Sequence, residues 1–184
     1  MISFIRSAVD KKNFPETERE VVFVGRSNVG KSSLINALYR QKLAYVGKTP
    51  GKTRMINFFD VDGRYTAVDV PGYGYARRSK NEAIQYANMM DDYFSRTGKI
   101  RLVIMIVDSR IGLTDDDRDM KQYLDDTGCR YVIVANKTDK LSNNQLAANK
   151  RKLFSEYEDV IYVSAEKNRN MDLIRERIDE SLQL

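Results

Sequence analysis

Four short segments carry the side chains able to do chemistry, and they stand in one order along the chain. The first, Gly25-Arg-Ser-Asn-Val-Gly-Lys31-Ser32, sets two glycines ahead of a lysine and a hydroxyl. Gly25 and Gly30 allow successive backbone N–H groups to point inward at an anion, and a helix beginning after them adds positive potential. Lys31 then supplies a point charge to β- and γ-phosphates, and the Ser32 hydroxyl is a hard ligand suited to Mg²⁺. In the second, Asp69-Val-Pro-Gly72, a carboxylate can hold a metal-bound water and the Gly72 N–H can meet a γ-phosphate, whose loss would release the chain beyond it. In the third, Asn136-Lys-Thr-Asp139, the Asp139 carboxylate can accept from guanine's N1–H and exocyclic amine, whereas adenine offers an acceptor at N1 and no amine. Adenine would leave that carboxylate unpaired, at a cost of roughly 1–3 kcal/mol or more. Lys137 can lay its stem along the base, Asn136 can tie this loop to the phosphate loop, and Ser164-Ala165 can offer backbone N–H groups to guanine O6. The four together predict a guanine-nucleotide switch.

Each segment follows an apolar run readable as a buried strand, which is what a site at the C-terminal edge of a parallel sheet requires. The runs are Glu20–Val24, the hairpin Met55–Val61 and Tyr65–Val70 turning at Asp62-Gly63, Leu102–Val107, Tyr131–Ala135 and Val160–Val163. Helices are predicted from Lys31 with Leu34, Ile35 and Leu38 on one face, through Tyr93, after Thr114 with Asp115 to Asp117 in the first turn, over Ser142–Tyr157, and from an Asn170 cap through Met171, Ile174, Ile178 and Leu182. Strands alternating with helices predict an α/β fold: a six-stranded, mainly parallel sheet with one antiparallel edge strand and helices on both faces.

A chain of 184 residues, 42% hydrophobic and 31% charged, fits one domain spanning residues 1–184. Its longest wholly apolar run, Leu102–Val107, is far too short to span a bilayer, and Met1 to Arg6 lacks a secretory pattern. Together with a single cysteine, Cys129, read as a small core residue, this predicts a cytoplasmic protein. The formal charge of +5 is unevenly spread: Gly25 to Phe59 contains no acid but Arg26, Lys31, Arg40, Lys42, Lys48, Lys52 and Arg54, while Asp108 to Asp126 is rich in aspartate. An electropositive side facing a polyanionic partner is expected.

The irregular stretch Lys42–Arg54 should provide a threonine that reaches Mg²⁺ when the γ-phosphate is present. Thr49 and Thr53 both lie there, and the Pro50-Gly51 pair just ahead of Thr53 favours the latter. After Gly72, where many nucleotide switches carry a water-orienting glutamine, stands Tyr73. A phenol cannot orient water as a carboxamide does, so either another group positions the nucleophile or hydrolysis is intrinsically slow and partner-stimulated; Arg54, Arg77 and Arg78 are near in sequence.

At Gly25–Ser32, Pro50-Gly-Lys-Thr53 and above all Asp69-Val-Pro-Gly-Tyr-Gly-Tyr-Ala76, the chain resembles the EngB family of bacterial GTPases over nearly its whole length. The resemblance implies a Ras-like P-loop GTPase fold, Mg²⁺-dependent GTP hydrolysis, a role in large ribosomal subunit assembly, and involvement in cell division and septation. Carried over by motif, Gly25, Arg26, Ser27, Asn28, Val29, Gly30, Lys31 and Ser32 hold phosphates, and Ser32 and Thr53 ligate Mg²⁺. Gly51, Lys52, Thr53, Arg54 and Met55 form the first switch and Asp69, Val70, Pro71 and Gly72 the second. Asn136, Lys137, Thr138 and Asp139 read guanine, with Val163, Ser164 and Ala165 completing the base pocket. Val70, where leucine is common, is a mild departure. Asn28 is similar to the phosphate-loop asparagine of potassium-stimulated GTPases; equally, it can serve by tolerating a left-handed turn. The catalytic set is thus Lys31, Asn28, Thr53 and Gly72, with K⁺ as a second cation. Basic residues of the switches, Arg77, Arg78 and Lys80 among them, would face a ribosomal precursor, with Tyr75 stacking on a base or packing within its loop. The competing expectation is a GTP-dependent adaptor at the division site for which ribosome binding is incidental.

Overall fold

The computed structural model describes residues 2–43, 55–74 and 79–183. Its centre is built by the longest apolar runs, whose alternate side chains go to opposite faces. In β2 (Glu20–Gly25), Val21 and Phe23 face one side and Val22 and Val24 the other. The same alternation continues in β5 (Ile100–Asp108) and β6 (Tyr131–Asn136), both parallel to their neighbours. Such two-sided burial explains why these strands read as continuous apolar runs. Next to β2 lies β4 (Tyr65–Asp69), which returns antiparallel to β3 (Ile56–Val61). Asp62 and Gly63 both have positive φ, 53° and 65°, the geometry of the tight hairpin turn that Asp-Gly favours. At the far edge β7 (Val160–Tyr162) pairs with β6.

The sheet has seven strands rather than the expected six, in the order β1-β3-β4-β2-β5-β6-β7. The additional strand, β1 (Ile2–Ala8), extends the antiparallel edge beyond β3. Only Ile2 and Ala8 at its ends are buried, and its register shifts between Phe4 and Arg6, so no period-two pattern survives in the sequence. Helices cover both faces, as expected. On one pack α1 (Lys31–Tyr39) and α5 (Met171–Leu182), through Leu34, Ile35, Leu38, Ile174 and Ile178. On the other lie α2 (Lys80–Phe94) and α3 (Asp115–Thr127).

Capping follows local chemistry. Ser79 with Glu82 and Thr114 with Asp117 form reciprocal capping boxes, and Gly128 ends α3 in the left-handed region. The fourth helix, α4 (Asn143–Leu153), is capped by Ser142 but stops four residues before the expected Tyr157. Asn170 precedes α5 at φ 59° yet makes no side-chain cap; its amide donates to the Tyr162 carbonyl at 2.8 Å instead. Cys129 is buried in the core, as expected. At the end of β2 away from the loops, fully buried Glu20 accepts from the Tyr93 hydroxyl at 2.7 Å and pairs with Arg96 at 3.0 Å, anchoring the C-terminal end of α2.

Candidate nucleotide site

The phosphate loop runs from the end of β2 into α1, and its glycines answer specific constraints. A β-carbon on Gly25 would lie 2.9 Å from the Ile106 carbonyl of β5, so the loop can leave the sheet here only without one. Gly30 has φ 93°, and a β-carbon there would lie 2.6 Å from Asn136 Nδ2. Val29 is buried and pins the loop to the core, whereas Asn28 stands exposed at φ 70°. The left-handed reading of Asn28 is therefore borne out by the backbone. Gly30 precedes α1 and leaves its first turn without a capping side chain at the end of the loop, the arrangement that suits an anion.

The four segments meet. Lys31 Nζ ion-pairs with the Asp69 carboxylate, and both are almost fully buried. Ser27 N–H donates to the Tyr73 carbonyl at 2.9 Å, pressing the second segment against the first, and a β-carbon on Gly72 would sit 3.1 Å from Ser27 Oγ. Asn136 Nδ2 donates to the Val29 carbonyl at 3.0 Å and Lys137 Nζ to the Asn28 carbonyl at 2.7 Å, so the third segment braces the first, as expected of Asn136. Ser164 Oγ donates to Asp139 Oδ1 at 2.6 Å, and Thr138 bonds the Val163 carbonyl through both its N–H and its hydroxyl. Burial alone would raise the Asp139 pKa, but hydrogen bonds from Ser164 and Lys140 outweigh it, so the carboxylate stays ionised.

One expectation changes. The N–H groups of Ser164 and Ala165 are engaged within the protein, by the Arg169 carbonyl at 3.2 Å and Asn136 Oδ1 at 3.1 Å. Ser164 thus contributes through its hydroxyl, which orients Asp139. Tyr73 is buried among the residues between the sheet and α2–α3, and its hydroxyl donates to Asp117 Oδ1 at 2.8 Å. Burial first, and then the Asp117 carboxylate, push its pKa upward and keep the phenol neutral. Tyr73 anchors the second segment to the start of α3. Pro71 is held too, its carbonyl accepting from the Tyr86 hydroxyl at 3.1 Å.

Gly51, Lys52, Thr53 and Arg54, the alternative Thr49, and Tyr75, Arg77 and Arg78 lie outside the described residues. Met55 is described, exposed at the entry to β3. Motif reading missed Asp108, at the end of β5. It receives Lys137 Nζ at 3.0 Å and a two-pronged contact from Arg110, Nε at 2.9 Å and Nη2 at 2.7 Å. Burial acts to raise its pKa, but these hydrogen bonds prevail and bring it down to about 2. The available signal was its place: an acid closing a buried parallel strand, like Asp69 at the end of β4.

A parallel-centred sheet flanked on both faces by helices, with this loop, Asp69 and the Asn136–Asp139 turn converging at one edge, defines the class of Ras-like P-loop GTPases. Residues 20–137 match the family model of 50S ribosome-binding GTPases. The chain is 40% identical over 183 residues to the probable GTP-binding protein EngB of Bdellovibrio bacteriovorus, covering 98% of this chain and 92% of that protein. It is also similar to the crystal structure of a probable GTP-binding protein engB, with a TM-score of 0.70 and 27% identity over 89% of this chain and 98% of the other. Era in complex with MgGDPNP and nucleotides 1506–1542 of 16S ribosomal RNA shares the fold, at a TM-score of 0.69 and 22% identity over 91% of this chain and 57% of that one. The chain belongs to the EngB family of GTP-binding proteins, and it is a GTPase.

Proposed function

We propose that this chain, acting as a single monomeric domain over residues 1–184, hydrolyses GTP to GDP and phosphate as a slow switch governing cytoplasmic assembly of the large ribosomal subunit. Normal division and septation would depend on that assembly. The observation that carries the guanine reading is the half-buried, ionised Asp139 fixed by Ser164 in a loop braced on the phosphate loop by Asn136. In this reading Gly25 to Ser32 cradle the phosphates, and Gly72 N–H meets the γ-phosphate. Asn136 to Asp139 with Val163 to Ala165 enclose the base. The donor set suits Mg²⁺: the Ser32 hydroxyl stands in the first turn of α1, directly after the Lys31 that pairs with buried Asp69, and both donors are hard oxygens. Ser32 and Thr53 would hold the ion, which when bound offsets phosphate charge, while Asp69 orients a water and Lys31 carries the β/γ contact.

The ribosomal reading is supported by the family match to 50S ribosome-binding GTPases and by the acid-free, lysine- and arginine-bearing stretch Gly25–Phe59. Basic groups of the switches, Arg40, Lys42, Lys48, Lys52 and Arg54 with Arg77, Arg78 and Lys80, would contact phosphates of the precursor's RNA. Co-sedimentation with large-subunit particles is therefore expected to depend on whether GDP or a GTP analogue is bound, and to fall steeply with salt. Equal sedimentation in both nucleotides and in their absence would overturn this reading. Unchanged ribosome profiles on depletion, with a division defect, would establish the adaptor instead.

With Tyr73 committed to Asp117, the side chain after Gly72 does not orient water, and turnover is expected to rely on a group supplied otherwise. Asn28 is exposed on the phosphate loop, and K⁺ held there would add the missing positive charge. We expect faster hydrolysis in potassium than in sodium at matched ionic strength, with Asn28→Gly, which suits φ 70° and removes the carboxamide side chain, abolishing the difference at nearly unchanged GDP affinity. Identical rates in the two salts would remove the cation from the mechanism.

A further inference from the structure

Outside the four nucleotide segments, a single carboxylate gathers two cations at the end of β5. Asp108 is 4% exposed, and Oδ2 receives both Lys137 Nζ at 3.0 Å and Arg110 Nη2 at 2.7 Å. Oδ1 takes Arg110 Nε at 2.9 Å and the Arg110 backbone N–H at 3.0 Å. The ammonium of Lys137 is thereby held between two fixed acceptors, Asp108 Oδ2 and the Asn28 carbonyl at 2.7 Å. Lys137 itself sits at φ 69°, a conformation that an L-residue adopts only when its surroundings enforce it. The side chain that would lie along the base is thus aimed from below by Asp108 and tied at its tip to the phosphate loop.

We propose that Asp108 is a positioning residue for the nucleotide: by fixing the Lys137 ammonium it locks the base loop onto the phosphate loop and lengthens the lifetime of bound GDP and GTP. The proposal rests on the reading that Lys137 lies along the base. A purely local role in folding the 108–112 turn is separable by geometry. That turn is closed by Ile111 and Gly112 N–H groups on the Asp108 carbonyl, at 3.2 and 3.1 Å, which any residue provides. The carboxylate adds one bond to the turn, from the Arg110 N–H to Oδ1 at 3.0 Å, an acceptor that Asp108→Asn keeps; its other three contacts serve the Lys137 ammonium and the Arg110 guanidinium. It remains ionised across the physiological range, so the lock acts at every working pH.

Dissociation of a fluorescent GDP analogue tests this in a double-mutant cycle. Asp108→Ala is expected to release GDP about tenfold faster with little change in association rate, the size expected for losing one charge-assisted contact. Lys137→Ala should release it at least as fast, and adding Asp108→Ala to Lys137→Ala should cause no further acceleration. Preference for GDP over xanthosine diphosphate, set by Asp139, should be unaltered by Asp108→Ala. Asp108→Asn, which keeps the side-chain shape and one acceptor, should lie between Asp108→Ala and the parent, and it decides the cycle if the alanine variant does not fold. Multiplying effects in the double variant, or an Asp108 variant releasing GDP at the parental rate while Lys137→Ala is fast, would overturn the proposal alone. A Lys137→Ala rate equal to the parent's would overturn both the proposal and the placement of Lys137 on the base.

Discussion

Asp139→Asn is expected to weaken GTP binding by about 10²- to 10⁴-fold, two hydrogen bonds at roughly 1–3 kcal/mol each, and to create binding of xanthosine triphosphate. The structure indicates why the exchange should be clean. Ser164 Oγ donates to Asp139 Oδ1 at 2.6 Å, an acceptor that asparagine keeps, so the side chain stays aimed. Oδ2, where the amide nitrogen would come, pairs with the half-exposed Lys140 ammonium at 3.2 Å, a contact worth little to folding. The new N–H₂ then repels guanine's amine but donates to the oxygen that xanthine carries in its place. Titration calorimetry with both nucleotides reads the swap, and a variant binding GTP as tightly as the parent would show that Asp139 does not read the base.

The second large effect concerns the buried pair Lys31–Asp69. Lys31→Ala should abolish measurable GTP and GDP binding, since the phosphates lose their point charge. It should also destabilise the fold by about 3–5 kcal/mol, because Asp69, only 4% exposed, would retain a charge with its partner gone. At this chain length that is a fall in Tm of roughly 6–20 °C. Removing both, in Lys31→Ala/Asp69→Ala, should recover most of the stability and none of the binding. Differential scanning calorimetry of the three variants decides it: an unchanged Tm in Lys31→Ala would mean that the pair does not hold β4 to the phosphate loop.

Much of this site is legible in the chain because its requirements are local. The central strands need both faces buried, so β2, β5 and β6 announce themselves as unbroken apolar runs, and their C-terminal ends locate the loops that follow. A phosphate loop needs small residues and a lysine at fixed spacing, and Asp-Gly specifies the hairpin turn between β3 and β4. Thr114 and Ser142 mark helix starts because capping is satisfied within three residues. The family resemblance then allotted roles that spacing left open, as between Thr49 and Thr53.

Elsewhere the deciding contacts are long-range and leave no local trace. Strand β1 is held by pairing with β3, from Ile2 opposite Val61 to Ala8 opposite Ile56, and its bulge erases the alternation that would reveal it. Asn170 stands where a capping residue belongs, but the nearby Tyr162 carbonyl takes its amide. Tyr73 looked, from its position after Gly72, like a gap in the catalytic machinery; packing turned it into the peg joining the second segment to α3 through Asp117, a residue 44 positions away. Asp108 and Lys137 are separated by 29 residues and meet only because β5 and β6 run parallel and in register, Asp108 opposite Asn136. Sequence by itself determined which residues can touch phosphate and base, since backbone freedom and side-chain chemistry are properties of single residues at short spacing. Tertiary structure alone decided which groups orient them, because a buried polar atom takes the partner that the register of neighbouring strands brings within reach.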